Sequence, residues 1–309
     1  MRVILGYLAV LMTFQAGPDP ETVAQARRIA ASAELAAQEY RIGVVDGQVV
    51  APAEVDEARL FLGEAKRSAA TLPTSVRDAA IVELDRALAL VAATAVPDSV
   101  AAAVARLSGT LRDGLGIVLV ELPSRPPSLA LGAEIYAREC ASCHGDAGRG
   151  DGPAGRGLDP PPADLGAHLA LADVTPLAFY QRITIGVAGT AMPAYETRLA
   201  PADRWAVALY ATMLRQAAPG GAVPDSLQLF ATTAGMNDEQ LREALGAAAS
   251  REQVAAVRAW QDTGSAAVTA VFTTVRERVA ETLKLARAGS GEPALATAFD
   301  AYLEFEAVE

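Results

Sequence analysis

Apolar residues recur with helical spacing through the first third of the chain. Asp19-Pro20 is typical of a helix start, with an N-cap residue followed by proline at the first helical position. The apolar spacing after it predicts one helix up to Tyr40 and three more near 53–70, 75–95 and 98–112. In the last of these, the positions i, i+4, i+7 and i+11 hold Val100, Val104, Leu107 and Leu111. Such a stripe predicts a face that packs into a core.

The helical pattern is interrupted at IGVVDGQVVAP, residues 42–52. Asp46-Gly47 stands there between pairs of apolar residues. Asp-Gly is a preferred two-residue turn of a β-hairpin, because both turn residues adopt positive φ. The stretch therefore predicts a small hairpin between the first two helices.

The last third of the chain is again helical in pattern. Ser250 and Gln253 have the spacing of a capping box, which predicts a helix start. One long amphipathic helix follows and is predicted to end at Gly289-Ser290-Gly291. Its apolar face consists of Val268, Val271, Phe272, Val275, Val279 and Leu283. A final helix after Pro293 is expected to pack through Leu295, Phe299, Tyr302 and Leu303.

Composition supports a helical fold class. The 309 residues are 51% hydrophobic but only 5% aromatic, and this mixture suits packed helices better than a β-sandwich. Pro/Gly-rich linkers at 122–128 and 218–226 divide the chain into modules. We therefore expect an all-α protein with an N-terminal helical region (19–122), a central domain (128–217) and a C-terminal helical region (226–309).

The charge and the N-terminus restrict the partners and the location. The net charge is −11 and no basic stripe is visible, which argues against nucleic acid as a partner and suits a metal cation or a cationic partner. Residues 1–18 contain Arg2, an apolar stretch and then turn formers, as in a secretory signal peptide. The apolar stretch is shorter than the about 20 residues that span a bilayer. We expect an exported, periplasmic or otherwise extracytoplasmic protein, with a retained N-terminal anchor as the alternative to cleavage.

Both cysteines of the chain lie in one motif, Cys140-Ala141-Ser142-Cys143-His144. The pattern C-x-x-C-H predicts covalent attachment of one haem, because two thiols on one helical turn can reach the two vinyl groups. His144 then becomes an axial ligand of the iron. A thioredoxin-like redox pair would require a βαβ context. A zinc site would require four ligands, and among cysteines and histidines only His168 remains to add.

Met192 is the predicted sixth ligand of the haem iron. It lies in GVAGTAMPAYE (186–196), where Gly, Ala and Pro suit a loop that brings a thioether to a flat ring. His–Met ligation raises the reduction potential and fills the last iron position, which favours electron transfer over ligand chemistry. His168 is the competing candidate.

The stretch 145–165 is rich in Gly and Pro and predicts a loop that wraps the haem edge. We expect the carbonyl oxygen of Pro153 to accept the Nδ1 proton of His144. Arg149, Arg156 and Arg182 are candidate partners of the haem propionates, with solvated surface positions as the alternative.

Two predicted helices, 129–139 and 200–216, flank the motif and the Met192 loop. Gly132 and Tyr136 of the first helix are expected to meet Trp205 or Tyr210 of the second. This arrangement resembles that of a small class I cytochrome c, and we expect such a module between two helical, bundle-like regions.

Several further stretches resemble bacterial cytochrome c–iron permease fusion proteins. GRGDGPAGRGLDPPPADL, ITIGVAGTAMPAY and DRWAVALY resemble the family's cytochrome domain, and EVDEARLF resembles the helical segment before it. DAYLEFEAVE resembles the segment ahead of the family's membrane portion. The family's permease portion carries membrane helices with an R-E-G-x-E type motif, and we expect neither in this chain. RERVAE (276–281) is no substitute for the motif, because it falls on a predicted amphipathic helix. We therefore expect no iron transport across a bilayer by this chain alone.

The resemblance implies electron transfer in the service of iron uptake, with Fe²⁺ as the electron donor and a permease as partner. Carboxylates suit such a hard cation. Candidate groups are Glu54, Asp56 and Glu57 in the first region and Glu304, Glu306 and Glu309 at the end, with solvated surface as the alternative for each.

Three other functions stay open at this point. A general haem shuttle would serve an oxidase or another redox partner without iron specificity. A haem sensor would require an open sixth position. A substrate-converting enzyme is the least supported, because no nucleophile–base set or phosphate loop is visible.

Overall fold

The computed structural model describes residues 18–246, 248–261 and 264–306. Four long helices come first: α1 (Pro20–Gly43), α2 (Pro52–Ala69), α3 (Thr74–Ala92) and α4 (Pro97–Leu115). Each packs on its neighbours in the order α1, α2, α3, α4, and α4 packs back on α1. The result is a closed four-helix bundle.

The bundle core follows the apolar stripes in the sequence. Val100, Val104, Leu107 and Leu111 are all buried, as predicted. They lie in one core with Ile29, Leu35, Tyr40, Phe61, Leu62 and Leu84. α1 begins after Asp19, whose carboxylate accepts a hydrogen bond from the Thr22 amide at 2.9 Å, the capping arrangement expected of that position.

A two-stranded hairpin joins α1 to α2. β1 (Val44–Val45) pairs antiparallel with β2 (Gln48–Val49), with Val44 opposite Val49. Asp46 and Gly47 form the turn with φ values of 50° and 74°, so the predicted Asp-Gly hairpin is confirmed. The tight turn places the end of α1 directly beside the start of α2.

The central domain contains α5 (Leu129–Glu139), α6 (Ala141–His144), α7 (Pro176–Ile185) and α8 (Pro201–Met213). α5 crosses α8 in close contact, with the rings of Tyr136 and Tyr210 5.3 Å apart. The predicted meeting of these helices is therefore confirmed through Tyr210. Trp205 lies elsewhere, stacked on Tyr180 with ring centroids 4.1 Å apart. α7 packs on α8 and also on α1, which joins the central domain to the bundle.

Three short helices follow: α9 (Phe230–Thr233), α10 (Asp238–Leu245) and α11 (Arg251–Arg258). The predicted capping box at Ser250 starts α11. Buried Asp238 lies 3.2 Å from a guanidinium nitrogen of Arg258 and 3.4 Å from Nε of Arg215. The first part of the predicted C-terminal region, after residue 226, thus packs on the central domain.

The last two helices, α12 (Gly264–Arg287) and α13 (Gly291–Glu306), pack on each other. An ion pair of 3.1 Å between Arg278 and Asp300 joins them. The expected packing of α13 is wrong for its large residues, since Leu295, Phe299, Tyr302 and Leu303 are 47–73% exposed. Among the described side chains of α13, the buried residues are Ala294 and Ala301.

Within the described residues, no helix is both long and apolar enough to cross a membrane. Residues 1–17, which contain most of the predicted signal segment, lie outside the described part of the chain.

Candidate functional site

The C-x-x-C-H motif lies at the junction of α5 and α6. Cys140 ends α5, and its carbonyl oxygen accepts hydrogen bonds from the amides of Cys143 (3.1 Å) and His144 (2.9 Å). The three chemically active residues therefore share one helical turn. Both cysteines are half-buried, and they form no disulfide with each other.

The electrostatics of this turn argue against a thiolate redox pair. Burial, followed by the nearby Glu139 and Cys143, raises the pKa of Cys140 to about 12. Redox-active cysteines have lowered pKa values, because the thiolate is the reactive form. The half-buried Cys140 thiol therefore lacks the lowered pKa that is typical of a disulfide-exchange site.

The His144 ring is oriented by the loop that follows it. Its Nδ1 lies 3.1 Å from the carbonyl oxygen of Ala163. A carbonyl oxygen only accepts, so Nδ1 carries the proton and Nε2 is left with its lone pair for a metal. The expected partner, Pro153, instead begins a 3₁₀ turn over Pro153–Gly155. Ala163 takes its place because the loop folds back on itself, with the Leu165 amide 2.6 Å from the Gly148 carbonyl oxygen.

The glycines of this loop permit close contact with the cysteine turn. A Cβ added at Gly152 would come within 2.4 Å of the Ser142 carbonyl oxygen. Gly152 also donates its amide to the Cys143 carbonyl oxygen at 3.1 Å. The predicted wrapping loop is therefore a backbone cradle that holds residues 140–144 in place.

Met192 lies in an irregular loop between α7 and α8, and its side chain is half-buried at the edge of the core. Its amide donates to the Thr190 hydroxyl at 3.1 Å. The end of this loop is joined to the cysteine turn, because the Tyr195 hydroxyl donates to the Glu139 carbonyl oxygen at 3.0 Å. Glu139 directly precedes Cys140, so the structure brings the two predicted ligand segments together.

The competing candidates are placed differently. His168 lies in a turn near Asp238 and Arg215. Burial is the main cause that lowers the pKa of His168. Arg149 and Arg156 are exposed. Arg182 is mostly buried in an ion pair with Glu39 of α1, so the structure assigns it to the contact with the bundle rather than to a propionate.

Comparison with known sequences agrees with this division. Residues 127–210 match the family model for cytochrome c oxidase, cbb3-type, subunit III. Residues 18–117 match the family model of the iron permease-associated 4-helix bundle domain. The chain joins an iron permease-associated bundle to a cytochrome c domain. The resemblance to cytochrome c–iron permease fusions and the all-α fold class are thereby confirmed.

No curated protein matches the chain. Among solved structures, the reducing HAO-like protein complex Kustc0457/Kustc0458 of Kuenenia stuttgartiensis matches with 30% identity over 39% of this chain and a TM-score of 0.29. The match spans 60% of the length of that chain.

The iron permease-associated bundle carries a cluster of three carboxylates. One oxygen each of Glu39, Glu54 and Glu57 lies within 4.8 Å of the others. Two of the three expected residues are therefore in the cluster. Asp56 is not, because it lies on the outer side of α2 and pairs with Arg59 at 2.6 Å.

Glu39 was not among the sequence candidates, because it lies on α1, apart from the other two in the sequence. The Asp-Gly hairpin could have pointed to Glu39, because a hairpin between the two helices predicts that the end of α1 lies beside the start of α2. The side chains of Glu304 and Glu306, and the whole of Glu309, lie outside the described part of the structure.

The cluster contacts the cytochrome c domain through Arg182. The Glu39 side chain is 5% exposed and forms an ion pair with Arg182 of α7. Burial lowers the pKa of Arg182 to about 10, which still leaves the guanidinium charged at neutral pH. Burial and then repulsion from Glu54 raise the pKa of Glu57. The three carboxylates lie together, and the ion pair of Glu39 with Arg182 balances one of them, which leaves an excess of negative charge that suits a divalent cation.

Proposed function

We propose that this protein is a c-type cytochrome that takes one electron from Fe²⁺ bound at Glu39, Glu54 and Glu57. The observation that carries the proposal is the position of this carboxylate cluster. It lies in an iron permease-associated bundle and is joined to helix α7 of the cytochrome c domain by the Glu39–Arg182 ion pair.

The residues around the C-x-x-C-H turn fit one haem c. Cys140 and Cys143 would form the thioether bonds, and His144 would bind the iron through Nε2, because Nδ1 faces the carbonyl oxygen of Ala163. Met192 would supply the second axial ligand. Bound there, the haem supplies a one-electron ferric–ferrous couple. The chain's part is to hold His144 and Met192 in position and to keep water from the sixth coordination site.

The proposed oxidation of iron at the cluster is a one-electron transfer. Oxidation of one Fe²⁺ to Fe³⁺ at the cluster would release one electron, and a haem held by Cys140, Cys143 and His144 would supply the one-electron acceptor. Anionic oxygen ligands stabilise the harder, more highly charged Fe³⁺ more than Fe²⁺. The three carboxylates would therefore lower the potential of the bound iron and make it a better electron donor.

The location and the partners follow from the same proposal. Residues 1–18 would direct export to the periplasm or another extracytoplasmic space, with a retained anchor as the alternative. The N-terminal helical region (19–122) would present Fe³⁺ to a permease membrane component. The cytochrome c domain (128–217) would pass its electron to a redox partner protein, and the C-terminal helical region (226–309) follows it in the chain.

A general electron shuttle is the second candidate. The central domain matches the cytochrome family named for an oxidase subunit, and this match favours delivery of electrons to an oxidase or another redox enzyme without iron specificity.

The rate of haem reduction by Fe²⁺ under anaerobic conditions separates the two candidates. The double variant Glu54→Gln/Glu57→Gln is expected to slow reduction by Fe²⁺ by about tenfold or more, the scale of effect when a metal site is perturbed. Reduction by ascorbate is expected to stay at the wild-type rate, because the haem turn is untouched. Glu39 is left in place, since its removal would strip Arg182 of its partner.

Asp56→Asn is the matched control, because it removes a neighbouring carboxylate of α2 that lies outside the cluster. We expect wild-type rates with both reductants. Equal Fe²⁺ rates in the wild type and in the double variant would reject the cluster as the donor site and leave the general shuttle.

A further inference from the structure

The loop that carries Met192 lies against the four-helix bundle. A cleft of about 90 Å³ separates them, lined on one side by Ser32 and Phe61 and on the other by residues 185–188 and Met192. Leu60 of α2 also reaches this loop, since a Cβ added at Gly189 would come within 3.3 Å of its Cδ1. One wall of the Met192 environment is therefore formed by the bundle rather than by the cytochrome c domain.

The loop has little regular structure of its own to hold Met192. It contains no helix or strand between the end of α7 and the start of α8, residues 186–200. Gly186 and Gly189 both have φ of +77°. The Val187 amide reaches the Met192 carbonyl oxygen only at 3.3 Å. The Thr190 hydroxyl adds two bonds within the loop, because it donates to the Val187 carbonyl oxygen at 2.9 Å and accepts from the Met192 amide at 3.1 Å. Contacts from outside the loop add to these few internal bonds.

Two ion pairs hold the loop end from opposite sides. From the bundle, Arg28 of α1 pairs with Glu196. From the cytochrome c domain, Glu139 pairs with Arg198 at 2.7 Å. Glu196 is 17% exposed and Arg28 is 44% exposed, so their pair is only partly screened by solvent. The Arg28–Glu196 pair therefore joins the bundle to the end of the Met192 loop.

We propose that the bundle positions the sixth ligand of the haem, with Arg28 and Leu60 acting as positioning residues for Met192. The inference rests on the proposed ligation of the iron by Met192. Loss of these contacts raises the fraction of protein in which the thioether has left the iron. The bundle then governs both the reduction potential and the closure of the sixth position, because His–Met ligation sets both.

Carbon monoxide binding to the reduced haem of the full-length protein measures that fraction directly. Carbon monoxide binds only when Met192 is off the iron, so its binding rate scales with the open population. Arg28→Ala and Glu196→Ala are each expected to speed binding by up to about fivefold, the factor that a partly exposed ion pair is worth. The reduction potential is expected to fall in the same variants.

Two further variants make the test independent of any single substitution. Leu60→Ala added to Arg28→Ala removes both bundle contacts and should speed binding more than Arg28→Ala alone. The charge-swapped pair Arg28→Glu/Glu196→Arg should return the rate towards wild type, which a merely destabilised loop would not do. Arg41→Ala is the matched control, because it breaks an exposed ion pair of α1 with Asp98, away from the Met192 loop.

The outcomes separate this inference from the function it rests on. The charge-transfer band of methionine-ligated ferric haem in the wild type, together with unchanged carbon monoxide rates in every variant, would overturn the inference alone. A wild type without that band would reject Met192 as ligand and overturn the inference together with the ligation it rests on, while the Fe²⁺ rates would still decide the donor site. Faster binding in Arg28→Ala but not in Arg41→Ala supports the inference.

Discussion

At the scale of single residues, Gly132 sets the distance between α5 and α8. A Cβ at this position would lie 2.2 Å from the Ala206 carbonyl oxygen, a backbone atom that cannot move aside by itself. The Tyr136–Tyr210 ring contact lies on the same helix crossing. Because α5 leads directly into Cys140, the crossing also positions the haem-attachment turn.

Gly132→Ala is expected to lower the free energy of unfolding by about 1–3 kcal/mol, the usual cost of overpacking a tight contact. Denaturant unfolding followed by circular dichroism measures it. Gly109→Ala of α4 is the control, since its new methyl would meet only Arg112 Nη2 at 3.9 Å. That helical substitution should raise stability by about 0.5–1 kcal/mol. Equal stability of the two variants would contradict the role of Gly132.

At the scale of elements, the hairpin between α1 and α2 decides whether the carboxylate cluster exists. Glu39 lies near the end of α1, and Glu54 lies in the first turn of α2. The two-residue turn at Asp46-Gly47 sets the register in which the two helices run side by side. A longer connection would leave the three carboxylates without a common position for a cation.

Gly47→Ala is expected to cost about 1–2 kcal/mol, because a residue with a Cβ is strained at φ +74°. We also expect slower haem reduction by Fe²⁺, by up to about 100-fold if a ligand shifts by an ångström. Gly116→Ala at the end of α4 is the matched control, with φ +64° and equally open surroundings. It should lose similar stability and keep the Fe²⁺ rate. A Gly47→Ala protein with the wild-type Fe²⁺ rate would show that the hairpin does not hold the cluster.

At the scale of the whole molecule, the bundle and the cytochrome c domain share one continuous apolar core. Polar contacts cross the same interface, where Gln181 of α7 donates to Glu34 and Arg182 pairs with Glu39. Removal of one partner of the buried Arg182–Glu39 pair is costly, because the remaining charge is left buried without a partner. The two domains are therefore expected to unfold together.

Arg182→Ala tests this coupling. Removal of one partner of a buried ion pair costs about 3–5 kcal/mol and leaves Glu39 uncompensated. We expect the unfolding midpoints followed by haem absorbance and by helical circular dichroism to coincide in the wild type and to separate in the variant. Arg198→Ala removes an exposed ion pair inside the cytochrome c domain, so its midpoints should still coincide. Coincident midpoints in Arg182→Ala would contradict the coupling.

The sequence by itself determined the features that depend on neighbouring residues. The helices of the bundle, the Asp-Gly hairpin and the placement of Cys140, Cys143 and His144 on one turn were all predicted from local spacing. They could be predicted because periodicity and turn preference are properties of a short stretch of chain. The all-α class followed from the same patterns and from the low aromatic content.

Only the tertiary structure decided which distant residues meet. Glu39 joins Glu54 and Glu57, and Arg182 turns to Glu39 instead of a propionate, because α1 packs on both α2 and α7. The carbonyl oxygen of Ala163, not that of Pro153, reaches His144, because the loop folds back on itself. A periodic pattern identifies the apolar face of a helix but not the element that covers it. The large exposed residues of α13 show this limit, since Ala294 and Ala301 are buried while Leu295 and Phe299 are exposed.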